Sequence, residues 1–125
     1  MPFHVGIDLV CGDDVQEAVR RHGDRYLDRV YTEQERRDAG TDPLRLAARF
    51  AAKEATMKAL RRADEPLPWR DIAVHRDADG CPTLRLTGAA DALARRSGVQ
   101  SLSVSLTHER DLAAAVVVAE WGTAA

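Results

Sequence analysis

The sequence lacks most of the features that identify a membrane, nucleotide-binding or serine-hydrolase protein. Only 5% of its residues are aromatic, so Ala, Leu and Val must supply most of the core. No stretch reaches the roughly 18 uncharged apolar residues that a membrane-spanning helix requires. The Walker loop, the GxGxxG fingerprint and the nucleophile elbow are also absent. The usual motifs for nucleotides and for serine nucleophiles therefore do not explain this chain.

The chain also has only two cysteines and a small net charge. The two cysteines, Cys11 and Cys81, are not spaced as a pair of metal ligands. No signal-peptide pattern precedes the first apolar residues, so we expect a reducing cytoplasm. The formal net charge of −2 argues against a general nucleic-acid binder, which usually carries a basic excess. Local basic clusters could still contact an acidic protein.

The length and the apolar patterns together predict one small α+β domain. A chain of 125 residues buries a single core, so we expect one domain over residues 1–125. Periodicity and helix-end signals predict strands over residues 3–10, 71–76, 83–86, 102–106 and 112–119, and helices over residues 15–22, 24–29, 32–40, 44–63 and 88–97. Helices between a first strand and later hairpins favour a mostly antiparallel sheet packed on one long central helix.

The long helix carries two apolar stripes on roughly opposite sides. At 100° per residue, the first stripe consists of Leu44, Ala48, Ala51, Ala55 and Ala59. The second consists of Leu46, Phe50, Met57 and Leu60. A helix with two such stripes packs on two sides, either against two elements of its own chain or against one element and another subunit.

Two acids are candidates for a metal site. Asp8 lies near the end of the first predicted strand, and Glu54 lies on the long helix. Two carboxylates that meet, with open positions for phosphate oxygens and water, form a typical magnesium site. Taken singly, however, each acid is more often a cap or a solvated surface residue.

Several cations accompany Glu54. Arg49, Lys53 and Lys58 lie within five residues of it on the same helix, a set that suits a polyphosphate bridged by a metal. An ordinary ion-paired helix face has the same composition, and Lys53 within an apolar stripe could simply extend to water. His108 follows the apolar run SLSVSL, where a histidine binds phosphate, transfers a proton or only caps a strand.

Three motifs in order give a specific resemblance. They are GID at residues 6–8, RFAAKEA at residues 49–55 with Lys58, and VSLTH at residues 104–108. Their order and spacing resemble those of the small bacterial holo-acyl-carrier-protein synthases, members of the phosphopantetheinyl transferase superfamily. The resemblance extends over nearly the whole chain, including RYLDRVYTEQE, WRDIAV, DADGCPTLRLTG and AAAVVVAE.

The resemblance implies a reaction and a set of roles. The chain would transfer 4′-phosphopantetheine from coenzyme A to a serine of an apo acyl carrier protein, with Mg²⁺ held by Asp8 and Glu54. Glu54 would take the serine proton, directly or through water, with Asp8 as the other candidate, and Lys58 would stabilise phosphoryl charge. The positions matching the family's coenzyme A phosphate site are Arg49, Lys53, Lys58 and His108. The family is typically a homotrimer with active sites at subunit interfaces.

The residues Arg21, Arg25, Tyr26 and Arg29 form a basic strip with an apolar contact, which would either dock an acidic carrier protein or be an ordinary solvated face. Three of them, Arg25, Tyr26 and Arg29, match the family's carrier-binding helix. Two departures accompany the resemblance. Asp13 and Asp14 stand where the family usually has a basic residue, so they would repel an acidic carrier. Residues 61–68 replace the family's Gly-rich turn and would alter the nucleotide pocket. The carrier could therefore be of the fatty-acid type or of a polyketide type.

Two other classes of function are compatible with the residues. A catalytically idle paralogue could bind a carrier protein or coenzyme A as an assembly module, and the acidic segment at Asp13 and Asp14 leaves this open. A generic α+β interaction domain would share the composition but not the joint motif set. Magnesium-dependent release of 3′,5′-ADP distinguishes the enzyme from both.

Overall fold

The structure is a computed structural model that describes residues 2–61 and 65–122. Its strands are β1 (Phe3–Cys11), β2 (Ile72–Arg76), β3 (Pro82–Leu86), β4 (Val99–Glu109) and β5 (Leu112–Trp121). Its helices are α1 (Gly12–His22), α2 (Asp24–Val30), α3 (Glu33–Ala39), α4 (Pro43–Ala59) and α5 (Gly88–Ser97), and a 3-10 turn over Trp69–Asp71 precedes β2. The predicted α+β class is confirmed. Within the described part of the chain, no helix has both the length and the hydropathy to cross a membrane.

The main sheet is antiparallel and has β5 at its centre. Its strand order is β1-β5-β4, whereas β2 and β3 form a separate antiparallel hairpin. Alternate residues of β5, including Ala115 and Val117, are buried in one cluster with the alanines of α4. The apolar last strand is therefore central, as its composition predicts, because its partners shield both edges and α4 covers one face.

The close contact between α4 and β1 depends on small residues. Ala51, Ala55 and Ala59 are fully buried on α4. A Cβ at Gly6 would lie 1.9 Å from the carbonyl oxygen of Ala55, a backbone atom that cannot rotate away. The glycine of the GID motif thus lets the strand end approach the helix, and it sets the distance between the residues that follow it and Glu54.

The second apolar stripe of α4 packs largely within the same chain. Leu46 and Leu60 are buried in two core clusters. The ring of Phe50 lies against that of Trp69, with 5.1 Å between centroids. Of the two options open from the sequence, other elements of the same protomer therefore account for most of this stripe. The helix ends at Ala59 rather than at residue 63, and residues 62–64 lie outside the described part.

Local sequence signals mark the starts of α3 and α4, but not the start of α1. Thr32 and Glu35 form a capping box at the start of α3, and Pro43 occupies the first turn of α4. Helix α1, however, begins at Gly12 rather than Val15. Its first amides are capped from a distant turn, because the N–H of Asp13 donates to Asp111 Oδ2 at 3.1 Å. Asp13 and Asp14 consequently lie in the first turn of the helix.

The outer face of β1 is an exposed apolar surface. Phe3, Val5, Ile7 and Leu9 are 57%, 63%, 61% and 62% exposed. Val5 and Ile7 stand opposite Val118 and Val116 of β5, which extend the same face across a second strand. We call these six residues the β1–β5 strip. Contiguous apolar surface of this kind commonly marks a site of association.

Candidate active site

The end of β1 and the middle of α4 bring two carboxylates to one depression. Ile7 and Leu9 point outward, so the alternation of the strand turns Asp8 toward α4, where its side chain is only 18% exposed. Asp8 and Glu54 line the same hollow of about 420 Å³, together with Asp14, Tyr26 and Phe50. We call this hollow the acidic depression.

Lys58 joins the two acids from the next turn of α4. Its Nζ donates to the carbonyl oxygen of Ile7 at 3.0 Å and to Asp8 Oδ1 at 3.2 Å. Glu54 precedes it by four residues, so both side chains lie on the same helix face. The structure thus brings Asp8, Glu54 and Lys58 together, as their proposed roles require.

The charge of the depression suits a cation. Burial raises the pKa of Glu54, the negative charge of Asp8 raises it further, and Lys58 opposes both effects. A bound cation would relieve this repulsion between carboxylates. Among the described residues, no cluster of three or more His, Cys, Asp or Glu side chains could hold a metal. Two carboxylates with open positions fit Mg²⁺, which takes few protein ligands and keeps waters or phosphate oxygens.

A second cleft is strongly basic. It has a volume of about 300 Å³, and its polar lining consists of Arg45, Arg49, Arg76, Thr107 and His108. We call it the basic cleft. It lies between α4, the β2–β3 hairpin and the end of β4. Arg49 and His108, which the family resemblance assigns to coenzyme A phosphates, therefore meet in one cleft.

Arg49 in this cleft has unused capacity to bind an anion. Its Nη1 donates to the carbonyl oxygen of Arg45 at 3.1 Å, but its buried Nε finds no hydrogen-bond partner among the described residues. Burial lowers the pKa of Arg49, and the positive charge of Arg76 lowers it further. A phosphate in the cleft would supply both a hydrogen-bond acceptor and the missing negative charge.

The acidic depression and the basic cleft lie on different sides of α4. No residue lines both. Arg49 and Glu54 are five residues apart, so they point about 140° from each other around the helix. The basic cleft adjoins β4, whereas the acidic depression adjoins β1, and these are the two edge strands of the sheet. Within one protomer, therefore, the acidic depression and the basic cleft do not form a single site.

Lys53 does not reach either cavity, contrary to its expected place among the phosphate-binding residues. It is fully buried, and its Nζ donates to Glu35 Oε1 at 2.7 Å, to the carbonyl oxygen of Trp69 at 3.1 Å and to that of Ile72 at 2.5 Å. These three bonds use all three ammonium protons. Its position in an apolar stripe reflects a buried ion pair that ties α3, α4 and β2 together.

In the expected carrier strip, Arg21 is ion-paired, whereas Arg25 and Arg29 have no ion pair within residues 2–61 and 65–122. Arg21 Nε donates to Glu17 Oε1 at 2.7 Å, and Arg20 binds the same carboxylate. Arg25 and Arg29 instead line a shallow groove with His22 and Tyr26. Tyr26 also lines the acidic depression, so the groove and the depression are continuous at this residue.

Tyr26 is itself anchored to the core. Its hydroxyl lies 3.0 Å from that of Tyr31, which donates to the carbonyl oxygen of Leu46 at 2.9 Å. The aromatic side chain is therefore a fixed element between the arginines of α2 and the carboxylates.

The sequence analysis missed Arg45 and Arg76. Arg45 was detectable, because it lies four residues before Arg49 on α4 and shares its face. Arg76 comes from the end of β2, and only the packing of the hairpin against α4 brings it to the cleft. Both are exposed at the surface of the cleft.

Comparisons with known proteins assign this arrangement to a family. The chain belongs to the 4′-phosphopantetheinyl transferase superfamily, whose family model matches residues 4–117. Holo-acyl-carrier-protein synthase from Herpetosiphon aurantiacus is 43% identical over 120 residues, covering 90% of this chain and 94% of that protein. The same enzyme from Chloroflexus aurantiacus is 44% identical over 138 residues, covering 98% of this chain and 100% of that protein.

Solved structures of acyl-carrier-protein synthases have a fold similar to that of this chain. Mycobacterium tuberculosis acyl carrier protein synthase is 44% identical, with a TM-score of 0.75 and coverage of 95% of this chain and 97% of that one. Helicobacter pylori holo-acyl-carrier-protein synthase in complex with coenzyme A is 29% identical, with a TM-score of 0.84 and coverage of 93% and 99%. The resemblance stated from the motifs is thereby confirmed.

Proposed function

We propose that this chain transfers 4′-phosphopantetheine from coenzyme A to a serine of an apo acyl carrier protein and releases 3′,5′-ADP. The observation that carries the proposal is that Asp8 and Glu54 line one depression while Lys58 donates to Asp8. Family membership and nearly full-length similarity to holo-acyl-carrier-protein synthases support it. A cytoplasmic location is part of the proposal, and the free state of both cysteines agrees with a reducing compartment.

Asp8 and Glu54 would hold Mg²⁺, and the remaining positions would be open to phosphate oxygens and water. When bound, the metal supplies positive charge against the pyrophosphate of coenzyme A. The donor set supports this assignment, because two carboxylates that repel each other lie beside a cavity open to a ligand. Lys58 adds a further positive charge at the same place.

The reaction needs a base at the carrier serine. The serine oxygen attacks the β-phosphorus, a new P–O bond forms, and the pyrophosphate P–O bond breaks, so that 3′,5′-ADP leaves. Glu54, directly or through a water, would accept the serine proton as it leaves the attacking oxygen. Lys58 stabilises charge on the phosphoryl oxygens.

The basic cleft would bind the phosphates at the nucleotide end of coenzyme A. Arg49 and His108 were expected there, and Arg45 and Arg76 join them. Several arginines around one cleft suit phosphate, because guanidinium groups donate in pairs to phosphate oxygens. Lys53 is left out of this set, since its three protons are already used within the fold.

A homotrimer would complete the site. Within a protomer the basic cleft and the acidic depression face different directions, so a neighbouring copy must bring its cleft to the depression. The β1–β5 strip offers an apolar surface for such an association. A closed ring of three copies makes each site from two neighbours, and all three sites are then equivalent.

Mixing two inactive variants tests this shared site. Glu54→Gln disables the acidic depression, and Arg45→Glu combined with Arg76→Glu disables the basic cleft at exposed positions. Each variant alone should be inactive. Refolding them together in equal amounts should recover about a quarter of wild-type phosphopantetheine transfer, because that share of interfaces joins two intact halves.

The control is the same two variants mixed after separate folding, without subunit exchange. Failure to recover activity, although the mixed sample forms oligomers of wild-type mass, would contradict the shared site. Recovery in a sample that sedimentation shows to be monomeric would contradict it equally.

A further inference from the structure

The surface around the acidic depression carries opposite charges at its two ends. At the α2 end, Arg25 and Arg29 line the groove and have no ion-pair partner among the described residues. At the α1 end, Asp14 lines the depression itself, close to where the transferred group must pass. A protein that docks across this surface therefore contacts positive charge at the α2 end and negative charge at the α1 end.

Nearby arginines do not neutralise Asp14. Arg20 and Arg21 of the same helix both bind Glu17, with closest distances of 2.6 Å and 2.7 Å. Their charge is thus shared with Glu17, which lies three residues, or just under one turn, from Asp14. The negative end of the surface remains negative.

No hydrogen bond or ion pair within the described residues holds the Asp14 carboxylate. Asp111 caps the start of α1 through the N–H of Asp13, so Asp14 is free of that role. Asp14 is exposed and makes no side-chain hydrogen bond or ion pair within residues 2–61 and 65–122. It is not a third metal ligand either, because Asp8 and Glu54 have no additional acid close enough within those residues. Asp13 and Asp14 share a favourable place in the first turn of α1, but only Asp14 lines the depression, where its charge can act on the docked partner.

We infer that Asp14 determines which carrier proteins this chain accepts. The preferred carrier presents a lysine or arginine to Asp14 beside its modified serine, and acidic residues to Arg25 and Arg29. This inference rests on the proposed transfer reaction and names the partner class of that site. A carrier that is acidic throughout its contact surface would place like charges together at the rim, which slows association and weakens docking.

A charge reversal at Asp14 tests the inference, with Asp13 as the matched control. Asp13 lies in the same turn of α1 and is also exposed, but it does not line the depression. Initial rates of modification, followed by intact mass, are measured for two apo carriers. One is acidic all around its serine, and the other carries a lysine or arginine next to it.

The wild-type protein should modify the second carrier with a kcat/KM about tenfold higher, equivalent to about 1.4 kcal/mol. Asp14→Lys should reverse that order, Asp14→Asn should give an intermediate ratio, and Asp13→Lys should keep the wild-type order. The KM for coenzyme A should stay constant in all four proteins. The preference should also shrink as salt screens the exposed charges.

Equal carrier ratios for Asp14→Lys and Asp13→Lys would overturn the inference, because a general change of net charge would then explain both. A change confined to the KM for coenzyme A would overturn it as well. Failure of the wild-type protein to modify either carrier would instead remove the proposed function itself, and the wild-type reaction shows this separately from the variants.

Discussion

Replacing Glu54 by glutamine should abolish phosphopantetheine transfer without destabilising the fold. The substitution removes a metal ligand and the candidate base in one step, and loss of general-base catalysis alone costs about 100-fold or more in rate. The free energy of unfolding should be unchanged or higher, because Glu54 and Asp8 repel each other across the depression. Turnover by intact mass and unfolding in urea, at one protein concentration, measure the two effects.

Asp13→Asn is the matched control for this prediction, since it neutralises an exposed carboxylate in the neighbouring first turn of α1 that does not line the depression. It should retain turnover with whichever carrier the wild-type protein modifies. If Glu54→Gln kept full activity, the metal site and the base would both have to be assigned to other residues. If it lost activity only by unfolding, Glu54 would have a structural role instead.

Replacing Lys53 by methionine should lower the free energy of unfolding far more than replacing a residue of a surface ion pair. Glu35 would remain fully buried as an unpaired carboxylate, with only the N–H groups of Thr32 and Val74 at 3.0 Å each. Breaking a buried ion pair from one side costs about 3–5 kcal/mol. That is a large part of the roughly 5–15 kcal/mol by which a domain of this kind is stable. Urea unfolding measures the loss.

Arg96→Met provides the comparison, because Arg96 pairs with Glu65 at 2.6 Å on the surface. An exposed pair contributes about 1 kcal/mol or less. In the folded fraction of Lys53→Met, the KM for coenzyme A should equal that of the wild-type protein. A rise in that KM with unchanged stability would return Lys53 to the phosphate-binding set and contradict the buried ion pair.

Most of the fold could be predicted because its signals are local. The Thr32–Glu35 capping box, the alternation along β1 and the final apolar strand each act within a few residues of sequence. The start of α1 could not be placed in the same way. Its cap is Asp111, a residue 98 positions away, so the sequence near α1 contains no sign of it.

Part of the candidate site could also be predicted from the sequence. Asp8, Glu54 and Lys58 belong to motifs whose order resembles the family, and the structure brings them together. Their residue types and positions made them candidates, and the resemblance to a family gave them specific roles.

The cations on α4 show the limit of reasoning from one helix. Arg49, Lys53 and Lys58 were grouped because they are near Glu54 in sequence, but they face three different surroundings. The 100° rotation per residue already separates Arg49 from Glu54. The buried partners of Lys53 come from α3, β2 and the turn before it, and only tertiary packing reveals them.

The most direct test of the central claim is the intact mass of apo acyl carrier proteins, one from fatty-acid synthesis and one of a polyketide type, after incubation with this protein, coenzyme A and Mg²⁺. The proposed function predicts that at least one carrier gains a phosphopantetheine group, that 3′,5′-ADP appears in equal amount, and that a chelator prevents both. If neither carrier gained the group although the protein was demonstrably folded, the chain would be a binding module that has kept the family's fold without its reaction.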